Sequence, residues 1–99
     1  MVLDYIREFE RRFRSSPHLS FAFLTRLTHE RVNKAGAADR PYLHFFRGLK
    51  EEGLLENTVI LFYSDHGMRF GEIRQTYIGK MEERLPFLYI VFPPRFAKL

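Results

Sequence analysis

The sequence predicts an α/β fold with a mostly parallel sheet. Three observations carry that expectation. Helical and strand-length apolar segments alternate in the order helix, strand, helix, strand, loop, strand. A run of β-formers, Thr58-Val59-Ile60-Leu61-Phe62-Tyr63, comes soon after the second helix and its glycine stop. The segment at 19–27 is aromatic and aliphatic throughout, as strands covered on both faces are.

Residues 2–14 read as an amphipathic helix, because Val2, Ile6, Phe9 and Phe13 recur near one face. Ser15-Ser16-Pro17 ends it. Arg7, Arg11 and Arg14 share a face, and Glu8–Arg12 and Glu10–Arg14 have the spacing of intrahelical ion pairs. That face is expected to be solvated. The first strand follows at 19–27, then a flexible loop at 33–38 around Gly36. Asp39-Arg40-Pro41 is expected to open the second helix, Asp complementing the helix dipole and Pro being tolerated in the first turn. Its core stripe is Leu43, Phe46 and Leu49 with Phe45, and Gly53 stops it. The second strand spans 58–63, a polar loop with glycines spans 64–84, and a last strand at 87–92 ends at Pro93-Pro94.

Ninety-nine residues allow one small domain. The hydrophobic share of 45% and aromatic share of 16%, with eleven Phe and five Tyr, argue against disorder. The absence of cysteine excludes disulfides, cysteine zinc fingers and thiol catalysis. No apolar run approaches the about 20 residues that span a bilayer. The charged segment after Met1 has no signal-peptide core. A net charge of +4 suits anionic substrates, but the basic residues are scattered among glutamates, so no nucleic-acid partner is expected.

The chemistry concentrates at Ser64-Asp65-His66-Gly67, just past the end of a strand. A strand fixes its own backbone, so residues beyond its carboxyl end are well placed to act on a ligand. Asp offers a hard oxygen and neutral His an imidazole nitrogen, both good zinc ligands. Gly67 is expected to let the chain turn by adopting backbone angles other residues resist. The bland alternative is a turn in which Asp65 caps backbone amides and His66 is simply exposed.

Two stretches carry a family resemblance. Glu56-Asn57-Thr58-Val59-Ile60 through Ser64-Asp65-His66-Gly67, and then Gly79-Lys80-Met81-Glu82-Glu83-Arg84-Leu85-Pro86, resemble the sulfatase and alkaline-phosphatase superfamily. Within it the match is to DUF229, a family of sulfatase-like proteins, and it covers about residues 21–94. The resemblance implies a partial α/β/α sandwich, part of a larger alkaline-phosphatase-like domain, with 1–99 a fragment of it. It also implies the secretory pathway or extracellular space.

By that resemblance Asp65 and His66 help bind a divalent ion. Zinc is the first expectation, while manganese, calcium and magnesium stay open. The ion would polarise an ester oxygen beside a nucleophile. His29, followed by Glu30 where relatives more often carry Asp, is a further ligand, a contact to a substrate oxygen, or an ordinary hydrogen-bonding histidine. Arg69 and Arg74 are candidates for a phosphate or sulfate because Arg forms forked bonds to such oxygens, or are simply exposed loop arginines. Lys80 matches the Gly-Lys of many sulfatases, where that Lys contacts sulfate. Glu82 and Glu83 are expected to be structural, one of them anchoring the loop by a salt bridge. His18 and His44 stand in no motif.

No family nucleophile motif occurs in this sequence, and Ser64 does not replace it. The expectation is therefore a piece of a metal-dependent phosphate or sulfate ester hydrolase, inactive alone. Its substrate would be an anionic ester met by the full-length relative, and exposed sheet edges would favour self-association. The alternative is a non-catalytic α/β interaction module derived from such an enzyme.

Overall fold

The computed structural model describes residues 2–26, 28, 29 and 33–98. Helix α1 (Val2–Phe13) is followed by helix α2 (Lys34–Glu51) and strand β1 (Ile60–Tyr63). A 3-10 turn (Glu72–Gln75), the short helix α3 (Tyr77–Glu82), strand β2 (Leu88–Val91) and a terminal 3-10 stretch (Pro94–Lys98) complete the order.

The sheet corrects the parallel expectation. It has two strands, and β1 pairs antiparallel with β2 in the register Ile60–Val91 through Tyr63–Leu88. The reason lies in the crossover. The six residues of α3 rise only about 9 Å, short of the about 13 Å length of the four-residue β1. Gly67 N–H also donates to the Glu83 carbonyl (3.0 Å), so the end of α3 is pinned beside the carboxyl end of β1. The chain must then enter β2 from that end.

The strand expected at 19–27 does not form over its described residues. Residues 17–25 form neither helix nor ladder pairing, and Leu27 lies outside the described residues. Nor is 33–38 a loop: α2 begins at Lys34, because Ala35, Ala37 and Ala38 are strong helix formers and outweigh Gly36. Pro41 consequently sits inside α2 rather than in its first turn, and supplies no N–H to the carbonyl one turn back. The stop at Gly53 holds. Gly53 has φ +68°, its N–H donates to Lys50 O (3.0 Å), and Leu54 N–H donates to Leu49 O (2.9 Å). This is the Schellman closure, and it brings buried Leu49 and Leu54 together. The expected loop 64–84 contains the 3-10 turn and α3, which Thr76 caps by accepting the Gly79 N–H at 2.9 Å.

An aromatic chain links helix to sheet. Tyr42 and Phe46 of α2 meet Phe62 of β1 (centroids 5.2 and 5.3 Å), and Phe62 meets Phe87 (5.0 Å), which meets Tyr89 (5.8 Å). Each such pair contributes about 0.5–1.5 kcal/mol beyond area burial. The other sheet face carries Leu61, Tyr63, Leu88 and Ile90, all exposed.

Helix α1 is tied on by charge, which corrects the solvated reading of its arginine face. Arg7 and Arg11 both donate to Glu52, the residue that ends α2, with Arg11 Nε–Oε2 at 2.5 Å. Glu8 pairs with Arg11 (3.1 Å) rather than Arg12. Glu10 turns inward, only 7% exposed, to His18 Nε2 (2.8 Å) and the Ser20 hydroxyl (2.5 Å) instead of Arg14. Burying a carboxylate is costly unless such partners satisfy it.

The whole is open. The radius of gyration is 16.1 Å, against about 13 Å for a compact chain of this length. Among the described residues no helix is long and apolar enough to cross a membrane.

Candidate metal centre

β1 delivers Ser64, Asp65 and His66 to its carboxyl end, where Ser64 is the last residue held by β2. Its N–H donates to the Phe87 carbonyl (3.1 Å), and its hydroxyl oxygen accepts the Phe87 N–H (3.1 Å). Ser64 is thus a fastening of the sheet end. Beyond it the chain turns, and the Asp65 and His66 side chains converge.

Their geometry sorts donors from acceptors. Asp65 Oδ1 accepts the His66 backbone N–H (2.8 Å), which holds the carboxyl below its usual value. His66 Nδ1 donates to the Gly67 carbonyl (2.7 Å), the kind of outer hydrogen bond that fixes the tautomer of a metal-binding imidazole. Nε2 then presents a lone pair toward Asp65 Oδ2, 3.4 Å away. Two ligand atoms each about 2.1 Å from one tetrahedral ion are about 3.4 Å apart. The pair fits a divalent cation at two of its positions.

Gly67 serves this turn differently from the sequence expectation. Its φ is not positive; among the described residues only Gly53 and Gly71 have that conformation. The requirement is close approach: a Cβ at Gly67 would collide with the Glu82 carbonyl oxygen and lie 2.8 Å from its carbon and 3.0 Å from Glu83 Cα. Gly79 has the same role one layer out, where a Cβ would strike the Ile73 carbonyl. The two glycines of the motifs let the post-strand loop, the 3-10 turn and α3 stack backbone to backbone.

The remaining candidates separate. Arg69 and Arg74 both lean on Glu83, at 3.8 and 2.9 Å, so their charges are partly committed. Arg74, through its hydrogen bond, is the main cause of the lowered Glu83 carboxyl pKa. Glu83 is the loop anchor expected of the Glu82–Glu83 pair. Lys80 is exposed on α3. His29 packs its ring against Phe70 (5.7 Å) and lines the same cavity as Asp65, His66 and Arg69. Glu30 lies outside the described residues. Among the described residues no group of three His, Cys, Asp or Glu is placed to hold an ion. Among the described residues Asp65 and His66 are two donors side by side, and a catalytic zinc takes three with an open position.

Besides the grip of Arg7 and Arg11 on Glu52, sequence reasoning missed the polar cluster of Glu10 with His18 and Ser20. The Ser20 hydroxyl donates to the carboxylate and not to the imidazole, so this is a clasp between α1 and the following segment rather than a nucleophile with its base. A glutamate in a helix gives no signal of partners eight and ten residues on.

The family model described as "Protein of unknown function (DUF229)" matches residues 1–99, and the chain belongs to this sulfatase-like family. The match extends the resemblance at 21–94 to both ends of the sequence. No curated protein and no solved structure matches the chain.

Proposed function

We propose that Asp65 and His66 form half of a divalent-metal site serving the hydrolysis of an anionic phosphate or sulfate ester. The observation that carries this is the 3.4 Å separation of His66 Nε2 and Asp65 Oδ2, with the other polar atom of each ring or carboxylate already engaged by backbone. Two lone-pair-bearing atoms facing each other need a proton or a cation between them, and a tetrahedral ion suits the spacing. A bound ion supplies Lewis-acid polarisation of the ester oxygen. The chain's own residues hold the imidazole tautomer through Gly67 O and keep Asp65 ionised through the His66 N–H. Arg69 lines the same cavity and gives it a cationic end for an anionic head group.

With two ligands and no nucleophile motif, this chain alone is expected to bind an ion weakly and to turn over no ester. The test is a zinc titration by calorimetry, alongside 4-nitrophenyl phosphate and 4-nitrophenyl sulfate assays. Binding of one ion that Asp65→Ala and His66→Ala each abolish supports the proposal. Unchanged zinc binding in both variants removes it.

A further inference from the structure

His18 sits where no neutral form of its ring satisfies both of its contacts. Nδ1 is 2.8 Å from the Ser16 carbonyl oxygen, and Nε2 is 2.8 Å from Glu10 Oε2. A neutral imidazole carries one N–H, so one of the two nitrogens would set a lone pair against an oxygen. Turning the ring over puts ring carbons in both places and forfeits both bonds. The arrangement closes with one more proton, carried by the ring as imidazolium or by the Glu10 carboxyl. The surroundings hold the two oxygens in place. Ser16 N–H donates to the Phe13 carbonyl (2.8 Å), and Pro17 stiffens the backbone on the other side. Glu10 is buried, and its other oxygen accepts the Ser20 hydroxyl (2.5 Å). From α1 the rings of Phe9 and Phe13 flank the imidazole, at 5.6 and 6.2 Å. Among the described residues Glu10 is the charged partner of His18, while Arg7 and Arg11 of the same helix are turned to Glu52.

From this geometry we propose that Glu10, His18 and the Ser16 carbonyl form a one-proton latch, which fastens residues 16–20 to α1 while the proton is bound and releases them when it leaves. The direction follows from linkage. The Glu10 carboxylate, and after it the Ser16 carbonyl, raise the His18 pKa above its ordinary 6.5. The latch is therefore closed below pH 6.5 and opens as pH rises through the raised value. Opening leaves the Glu10 carboxylate with the Ser20 hydroxyl as its protein partner, too little for a buried charge, so the carboxylate turns to water and the segment swings off. The joint between α1 and α2 does not follow. Arg7 and Arg11 stay charged through this range, and the Glu52 carboxyl they hold titrates at about 2. The release is thus a local opening of the turn after α1 rather than a loss of the whole fold.

The latch is independent of the metal reading, because it needs neither Asp65 nor His66. The test is a pH titration of the full chain by nuclear magnetic resonance, following both ring nitrogens of His18 and the exchange of single amides. The ring is expected to titrate above 6.5. Beyond that step the Ser16 amide, corrected for the base catalysis of exchange, is expected to exchange about tenfold faster per pH unit, the slope of one proton. The Leu54 amide, which bonds Leu49 O at the end of α2, is expected to keep the base-catalysed slope alone. Glu10→Gln is the discriminating variant. Its side-chain amide can donate to Nε2 while Nδ1–H stays on Ser16 O, so the latch closes without the extra proton. The ring is then expected to titrate at 6.5 or below, and the added Ser16 slope to vanish. Should that variant fail to fold, the ring and the two amides of the parent decide alone. A parent ring that titrates at or below 6.5, or a Ser16 amide with the base-catalysed slope alone, overturns the proposal. So does a Leu54 amide that opens together with Ser16, or a folded Glu10→Gln variant that titrates as the parent does.

Discussion

Replacing Gly67 with alanine tests how the post-strand turn is built. The new Cβ would meet the Glu82 carbonyl group, with its carbon at 2.8 Å and Glu83 Cα at 3.0 Å, all backbone atoms of a helix end that cannot rotate aside. Ordinary contact begins at about 3.4 Å, so α3 or the turn must retreat by roughly half an ångström or more. Overpacking of that kind costs about 1–3 kcal/mol. The retreat also stretches the 3.0 Å bond from Gly67 N–H to Glu83 O, a further loss of about 1 kcal/mol. The expected total is about 2–4 kcal/mol, read as a lower urea midpoint by far-ultraviolet circular dichroism and tyrosine fluorescence. Because Gly67 O holds His66 Nδ1, zinc affinity is expected to fall with it. Gly36→Ala is the control. Nothing lies within 4 Å of a Cβ at Gly36, inside α2, and helix propensity predicts a gain of about 0.5–1 kcal/mol. If Gly67→Ala is as stable as the parent, the close approach of turn and α3 is not the reason for glycine there.

Two charge clasps predict opposite pH windows. Arg11, and then Arg7, hold the Glu52 carboxyl down at about 2 from its usual 4.5, so its contribution is full above pH 4.5 and is lost as pH falls toward 2. The Glu10 carboxylate, and then the Ser16 carbonyl, raise the His18 pKa, so that contribution is full below pH 6.5 and is lost as pH rises through the raised value. Melting temperature against pH is expected to sag at both ends. Glu52→Gln should flatten the acid side and His18→Gln the alkaline side, and a variant that leaves its limb unchanged refutes the corresponding clasp. Separately, Glu83→Gln frees Arg69 and Arg74 and is expected to raise sulfate affinity several-fold by calorimetry. No change would mean that these arginines take no part in anion binding.

The local elements were written in the sequence because their causes are local. Helix α1 follows from its 3.6-residue apolar period, the end of α2 from Gly53 and Leu54 closing on Leu49 and Lys50, and β1 and β2 from short runs of β-formers. The start of α2 was misread because Asp39-Pro41 resembles a first turn, while three alanines upstream prolong the helix at little cost. Asp65 and His66 could be picked out because both are good ligand types placed just beyond a strand. Their spacing could not, since it depends on which atoms the backbone of His66 and Gly67 engages.

What the sequence by itself determined is part of the alphabet of pieces: α1, the body and the stop of α2, the two strands that pair, and which residues are of ligand-forming type. Tertiary structure alone decided strand direction, because that depends on α3 being too short and too firmly pinned at Gly67 to return the chain across the sheet. It decided that Arg7 and Arg11 grip Glu52, that Arg69 and Arg74 lean on Glu83, and that residues 20–25 and 58–64 line one cavity. Each of these is a meeting of groups distant in the chain or a property of the path between them, and local pattern does not encode which distant surfaces will meet.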